Sequence, residues 1–303
     1  MSSGIKNHGR HERNVFLAVC LIPTFVLYFI FMILPTLNVF QLSLYKWSGL
    51  LGEKKFIGLD NFVTMFQSDK FWLSFRNTLF FMVFTTFFTI ILALFFATVL
   101  SKSKIRGKSF YRIVFYFPNI LSVVIIAAIF NNLYAAEKGA LNVFLSTVGL
   151  GKYTHMWLSD RSTVLYAISF AMIWQAVGYY MVMYVAGMDS IPNSLYECAD
   201  LEGASGWTKF FKITLPLTWE VVRVTLTFFV ISSINMSFLF VKAMTNGQPD
   251  GASDVLLNMM YFEAYNNSHY GYGMAIGAFL FIFSFVVSLI VQKLTDREPV
   301  TYQ

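Results

Sequence analysis

Leu79-Phe80-Phe81-Met82-Val83-Phe84-Thr85-Thr86-Phe87-Phe88-Thr89-Ile90-Ile91-Leu92-Ala93-Leu94-Phe95-Phe96-Ala97-Thr98-Val99-Leu100 carries no charge. A bilayer's hydrocarbon core is about 30 Å thick and takes roughly 20 helical residues at about 1.5 Å each. The stretch therefore reads as a membrane-spanning helix, residues 73–100 with its ends included. Five further segments pass the same test: 14–36, 110–133, 162–188, 217–241 and 272–293. Composition agrees. Of 303 residues, 57% are hydrophobic and 13% charged, including 34 Phe, against roughly 25% charged in soluble domains. Lipid leaves an open sheet edge without partners, so the expected fold is an all-α polytopic membrane protein with six transmembrane helices.

Lys and Arg gather in cytoplasmic loops. With the N-terminus inside, the inner segments hold twelve of them, five in the cluster Lys102, Lys104, Arg106, Lys108 and Arg112; the outer loops hold eight, more thinly spread. Both termini are thus expected in the cytoplasm of a bacterial or archaeal cell. Residues 1–13 and 295–303 are then expected to be tails around a transmembrane domain of six spans at 14–294. The apolar run after Arg13 is too long for a secretory signal, and no small-x-small cleavage site follows it. Arg76 and Arg223, at span ends, either reach the headgroup region or enter a specific ion pair.

Several chemistries are excluded. The net charge of +6 comes without a basic stripe interleaved with aromatics, so no nucleic acid is expected. Cys20 and Cys198 form no disulfide framework, and the four His are too scattered for a metal site. The sequence holds no His-Glu-x-x-His, no Gly-x-Ser-x-Gly and no Walker A pattern. Gly149-Leu150-Gly151-Lys152 lacks the upstream Gly and the following Ser or Thr. Secondary transporters often carry internal repeats and intramembrane charges; neither is visible here.

The loop 189–216 is expected inside the cell and reads as two short helices. Pro192 suits a first helical turn, with Ser190 or Ile191 before it as the cap. Gly203 ends that helix in a left-handed conformation, and Ser205 caps the next. Trp207, Phe210, Phe211 and Thr214 fall on one face, and Pro216 stops the second helix before the fifth span.

This loop resembles the EAA loop of ABC-importer permeases: Glu-Ala-Ala, a Gly four residues on, and an Ile-x-Leu-Pro ending. Glu197, Cys198 and Ala199 fill the triplet, Gly203 the glycine, and Ile213, Leu215 and Pro216 the ending. Cys198 for Ala is the one departure in the triplet; it stays small and adds a thiol. The resemblance implies a coupling helix docked into a cytoplasmic ATPase, with Glu197, Asp200 and Glu202 available to basic groups and an aromatic face anchoring the unit under the bundle. It further implies a dimer of ATPase subunits using ATP and Mg, no cofactor on this chain, a second permease (a heterodimer), and an extracytoplasmic solute-binding protein. An inner-leaflet amphipathic helix is the bland alternative, disfavoured because the first helix is acidic.

Outer segments are similar to those of carbohydrate permeases of the maltose and glycerol-phosphate type: Phe56 to Phe62, Phe71-Trp72 to Asn77-Thr78, Phe110-Tyr111-Arg112 with Phe117-Pro118, Gly139 to Asn142, Thr245 to Pro249, and Tyr270 to Gly273. They imply sugar as cargo, with amino-acid, peptide and glycerol-phosphate import as alternatives. Polar residues interrupt the spans at Trp174-Gln175, Tyr179-Tyr180, Ser232-Ser233, Asn235 and Asn258. Such groups face a cavity or bond between helices. Trp174, Gln175, Tyr179 and Asn235 are the candidates for lining a pathway suited to a neutral polyol. Gly178 and the polar breaks of the fifth span are candidate hinges.

Overall fold

A computed structural model describes residues 3–49, 52–102 and 106–297. Lys104 of the basic cluster and the tail beyond Arg297 lie outside the described residues, as do the side chains of Lys6, Arg10, Arg13 and Lys102. Among the described residues five helices are long and apolar enough to cross a membrane: Phe16–Leu42, Asp69–Ser101, Val164–Asp189, Trp219–Met244 and Tyr270–Thr295. The chain divides into two units, Met1–Met65 with Phe262–Phe279, and Phe66–Tyr261 with Leu280–Gln303.

In the first unit, none of the apolar window of span one is buried. A π-type turn, Phe29–Ile33, precedes Leu34-Pro35, and another, Phe210–Thr214 of the second unit, precedes Leu215-Pro216. Proline clashes with the carbonyl four residues back; a wider turn moves that carbonyl aside and lets the helix continue. After span one come two paired two-residue strands, Tyr45–Lys46 and Lys55–Phe56, which the all-helical expectation did not include. The buried Asn61 amide donates to the carbonyls of Ser43 (2.7 Å) and Tyr45 (3.0 Å). Gly271 lies so close to Tyr45 that a Cβ would overlap its carbonyl oxygen. The Tyr-Gly-Tyr-Gly stretch is therefore a backing surface for the first strand.

In the second unit, span four is the central helix, two-thirds buried over its apolar window, and it packs most extensively on span two. Small residues (Ala93, Ala97, Ala176) let the backbones approach. One cluster groups Phe81, Ile126, Phe130, Ile168, Met172 and Phe240. The other groups Ile90, Tyr180, Met181, Tyr184, Val222 and Phe229. Thr78, Thr85 and Thr98 donate to the carbonyl four residues back, whereas the buried Thr86 and Thr89 hydroxyls have no hydrogen-bond partner among the described residues.

The expected third span, 110–133, is not one helix. It consists of Lys108–Ile120 and Val123–Leu133, bent by 98°. At about 1.5 Å per residue, their 13 and 11 residues are each too short to cross the core alone. Leu121 and Ser122 are extended, and the Ser122 hydroxyl accepts from the Ile125 N–H at 3.4 Å. Pro118 and a serine cap supply the stop and restart that hydropathy overlooks. Conversely, the candidate hinges are intact helix. Ser232 and Ser233 donate to the carbonyls of Phe229 and Val230 inside Trp219–Met244. Gly178 sits in unbroken Val164–Asp189 because a Cβ there would overlap the backbone carbonyl of Phe115.

Gly178→Ala should consequently destabilise the bundle by about 1–3 kcal/mol, as overpacking does, and Gly178→Val by more. Thermal unfolding of the purified chain in detergent, followed by intrinsic fluorescence, checks this.

Candidate coupling loop and pathway residues

Span four ends on a polar node. Asp189 accepts from the Ser101 hydroxyl (2.7 Å) and the Arg112 guanidinium (3.0 Å), and Lys108 donates to the Ser101 carbonyl (2.9 Å). Helix Asn193–Leu201 follows, with Pro192 itself at the cap rather than in the first turn. Its ψ of 133° is extended, the conformation a cap residue needs. At the far end the Gly203 N–H donates to Asp200 and the Ala204 N–H to Ala199, with Gly203 at φ +71°. This is the Schellman closure, with Gly203 as the left-handed residue. The Ser205 hydroxyl then accepts from the Thr208 N–H at 3.2 Å.

The two helices are clamped together. Lys209 meets Asp200 at 2.6 Å, and the hydroxyls of Tyr196 and Thr214 lie 2.9 Å apart. Burial pushes the Tyr196 phenol up from its ordinary pKa, and the Thr214 hydrogen bond opposes that. Ile213, Leu215 and Pro216 are half-buried, next to the buried Thr214 and Thr218.

Three details differ from the sequence reading. Asp200 is engaged by Lys209 and is not a free acid. Ala199 is half-buried toward its own chain, while Glu197 and Cys198 are exposed. The expected aromatic face is split: Thr214 is buried, but Trp207 is 74% and Phe211 56% exposed, stacked at 6.0 Å. The π-type turn that accommodates Pro216 shifts the register that placed them together. The outward stripe is Ser194, Glu197, Cys198 and Leu201, spaced as one helix face. Leu201, 88% exposed, escaped the sequence reading, although its position seven residues after Ser194 was a signal for it.

Arg223 pairs with Asp296 (3.0 Å) and Glu220 (3.6 Å), which decides between its two sequence readings. Arg297 lies over the Trp219 ring at 4.6 Å, and the Trp219 indole donates to the Thr295 carbonyl. The last span's end is thereby tied to the start of span five.

Trp174 is exposed, its ring 5.6 Å from Phe130, with the half-buried Gln175 and Tyr179 beside it on span four. Asn235 lies in an exposed stripe of span five with Val224, Phe228, Ile231 and Leu239. No hydrogen bond among the described residues engages any of these four polar groups or joins the two helices through them. By contrast Ser232, Ser233 and Asn258 are bonded within the chain.

An apolar helical bundle with a clamped pair of short helices at one end is the architecture of a polytopic membrane protein. Residues 89–298 match the family described as binding-protein-dependent transport system inner membrane component, and the chain belongs to that family. It is 34% identical over 274 residues to a probable ABC transporter permease protein, YurN, of Bacillus subtilis, across 90% of this chain and 93% of that protein. It is 31% identical over 286 residues to the diacetylchitobiose uptake system permease protein NgcF of Streptomyces coelicolor, across 91% and 80%. The fold matches a chain of a bacterial ABC transporter involved in import of the acidic polysaccharide alginate. That match has a TM-score of 0.84 at 24% identity and covers 96% of this chain and 98% of that one.

A Cβ at Gly203 would meet nothing within 4 Å, so Gly203→Ala should cost only the left-handed backbone preference, about 1 kcal/mol. Hydrogen exchange at residues 199–204 should speed up roughly fivefold, while exchange in span four stays unchanged.

Proposed function

We propose that this chain is one of two permease halves of an ATP-driven importer whose cargo is a sugar or oligosaccharide. Both termini and the loop 189–216 face the cytoplasm of a bacterial or archaeal cell. A separate ATPase dimer, using ATP and Mg, seats on the stripe Ser194, Glu197, Cys198 and Leu201. The observation that carries this reading is the construction of the loop. Its outward face is unpaired, and its inward side is fastened by Lys209–Asp200, Tyr196–Thr214 and the Asp189 node. A knuckle so fastened moves as one body, so closure of the motor shifts spans four and five together.

The cargo reading is supported by the outer segments, by the uptake of diacetylchitobiose named for one relative, and by the trehalose/maltose transport named for a Thermococcus litoralis relative at 29% identity. Trp174, Gln175, Tyr179 and Asn235 support it chemically. Hydrocarbon offers their polar groups no partner, so they face a second permease or a wet pathway. Aromatic rings beside amides suit a neutral polyol. A solute-binding protein on the outer loops would deliver it.

Uptake into vesicles should require ATP and the binding protein and survive collapse of the proton gradient; uptake driven by that gradient alone would overturn the proposal. Glu197→Lys should insert normally but lower transport at least about tenfold, ~1.4 kcal/mol of docking, while ATP hydrolysis persists. In a Cys20→Ala background, an impermeant maleimide should block transport through Cys198 only from the cytoplasmic side. Cys198→Ala should abolish that sensitivity.

A further inference from the structure

We propose that Arg76 and the ring-lined groove below it on span two form a binding site for an anionic phospholipid. The site needs only that Asp69–Lys102 crosses the bilayer; the orientation proposed above places it in the outer leaflet.

Arg76 stands out among the span-end arginines. Arg112 has Asp189, and Arg223 has Asp296 and Glu220. Arg76 is exposed and has no acid or hydrogen-bond partner among the described residues. Its place on the helix is fixed, because its neighbour Asn77 is buried and donates to the carbonyls of Ala252 and Asp254, both at 2.9 Å. Its depth follows from two observations. The charge-free run begins at Leu79, one turn further in. Trp72, one turn further out, is half-exposed and donates its indole N–H to the Phe66 carbonyl, as suits a ring at the membrane interface. Helical side chains lean toward the helix N-terminus. For a helix entering at Asp69, that turns the guanidinium toward the headgroups.

Below Arg76 lies a groove of about 460 Å³ lined by Leu79, Phe80, Val83, Phe84 and Phe87. Its wall is built of rings: Phe80 stacks on Phe84 at 5.0 Å, Phe84 meets Phe88 at 4.6 Å, and Tyr166 of span four packs edge-on against Phe80 (5.3 Å) and Phe84 (5.6 Å). Arg76 to Phe87 spans about 16 Å at 1.5 Å per residue, close to half of a core of about 30 Å. One cation at headgroup depth over an apolar trough one leaflet long complements a phosphate with an acyl chain beneath it. A protein partner would have to bring a matching acid to that depth, whereas the lipid's phosphate is already there. A zwitterionic headgroup carries its own cation and gains less from Arg76.

The test is native mass spectrometry of the full chain, purified with its associated subunits and titrated with phosphatidylglycerol or phosphatidylcholine. The wild type should retain one phosphatidylglycerol preferentially. Arg76→Gln should weaken that retention roughly fivefold and leave phosphatidylcholine unchanged, Arg76→Lys should keep most of it, and Phe84→Ala should weaken both lipids. Equal retention of the two lipids by the wild type, or an undiminished preference in Arg76→Gln, would overturn the site. So would loss of another subunit from Arg76→Gln with lipid retention unchanged, because that would show protein covering the groove.

Discussion

Hydrocarbon offers a polar group no hydrogen-bond partner, and this chain is organised around that shortage. Threonines of span two turn their hydroxyls back onto their own helix. The Asn77 amide donates to the carbonyls of Ala252 and Asp254, and the Thr78 hydroxyl accepts from the Leu256 N–H, so that end of the span becomes a mould for the segment 252–256. Charges are confined to helix ends, where Asp189 and Arg112, or Arg223 and Asp296, neutralise each other at 3.0 Å. Against that background the unsatisfied groups stand out. The polar groups of Trp174, Gln175, Tyr179, Asn235 and Arg76 make no hydrogen bond among the described residues, and hydrocarbon alone would leave them bare.

The loop 189–216 is fastened by the same kind of pairing. Asp189 closes span four by joining the ends of spans two and three, and the next helix starts one turn later at Asn193. With Gly203 closing that helix and Lys209 reaching back to Asp200, little slack remains between the exposed stripe and spans four and five. Exposed ion pairs contribute at most about 1 kcal/mol each. Their role here is to fix a direction, while the buried Ile191, Thr214 and Thr218 hold the loop against the bundle.

Hydropathy located every apolar segment but not the break inside the third. It averages over a window, and Pro118, Leu121 and Ser122 act one residue at a time. The glycines show the same limit. Gly203 was readable because its conformation is local, set by the helix it ends. Gly178 was not: its reason is the backbone of Phe115, 63 residues earlier in the chain. The half-burial of Ala199 was unreadable likewise, because which side of a short helix faces home depends on what it packs against.

By itself the sequence determined the membrane class, the apolar segments, the double-helix loop with its Gly203 end and Ser205 cap, and the family resemblance. These depend on composition and on neighbours within a few residues. Tertiary structure decided the inward turn of Ala199, the outward exposure of Leu201, and which of the span-end arginines found acids. Each of those outcomes depends on contact between segments distant in the chain, and a linear pattern does not encode such distances.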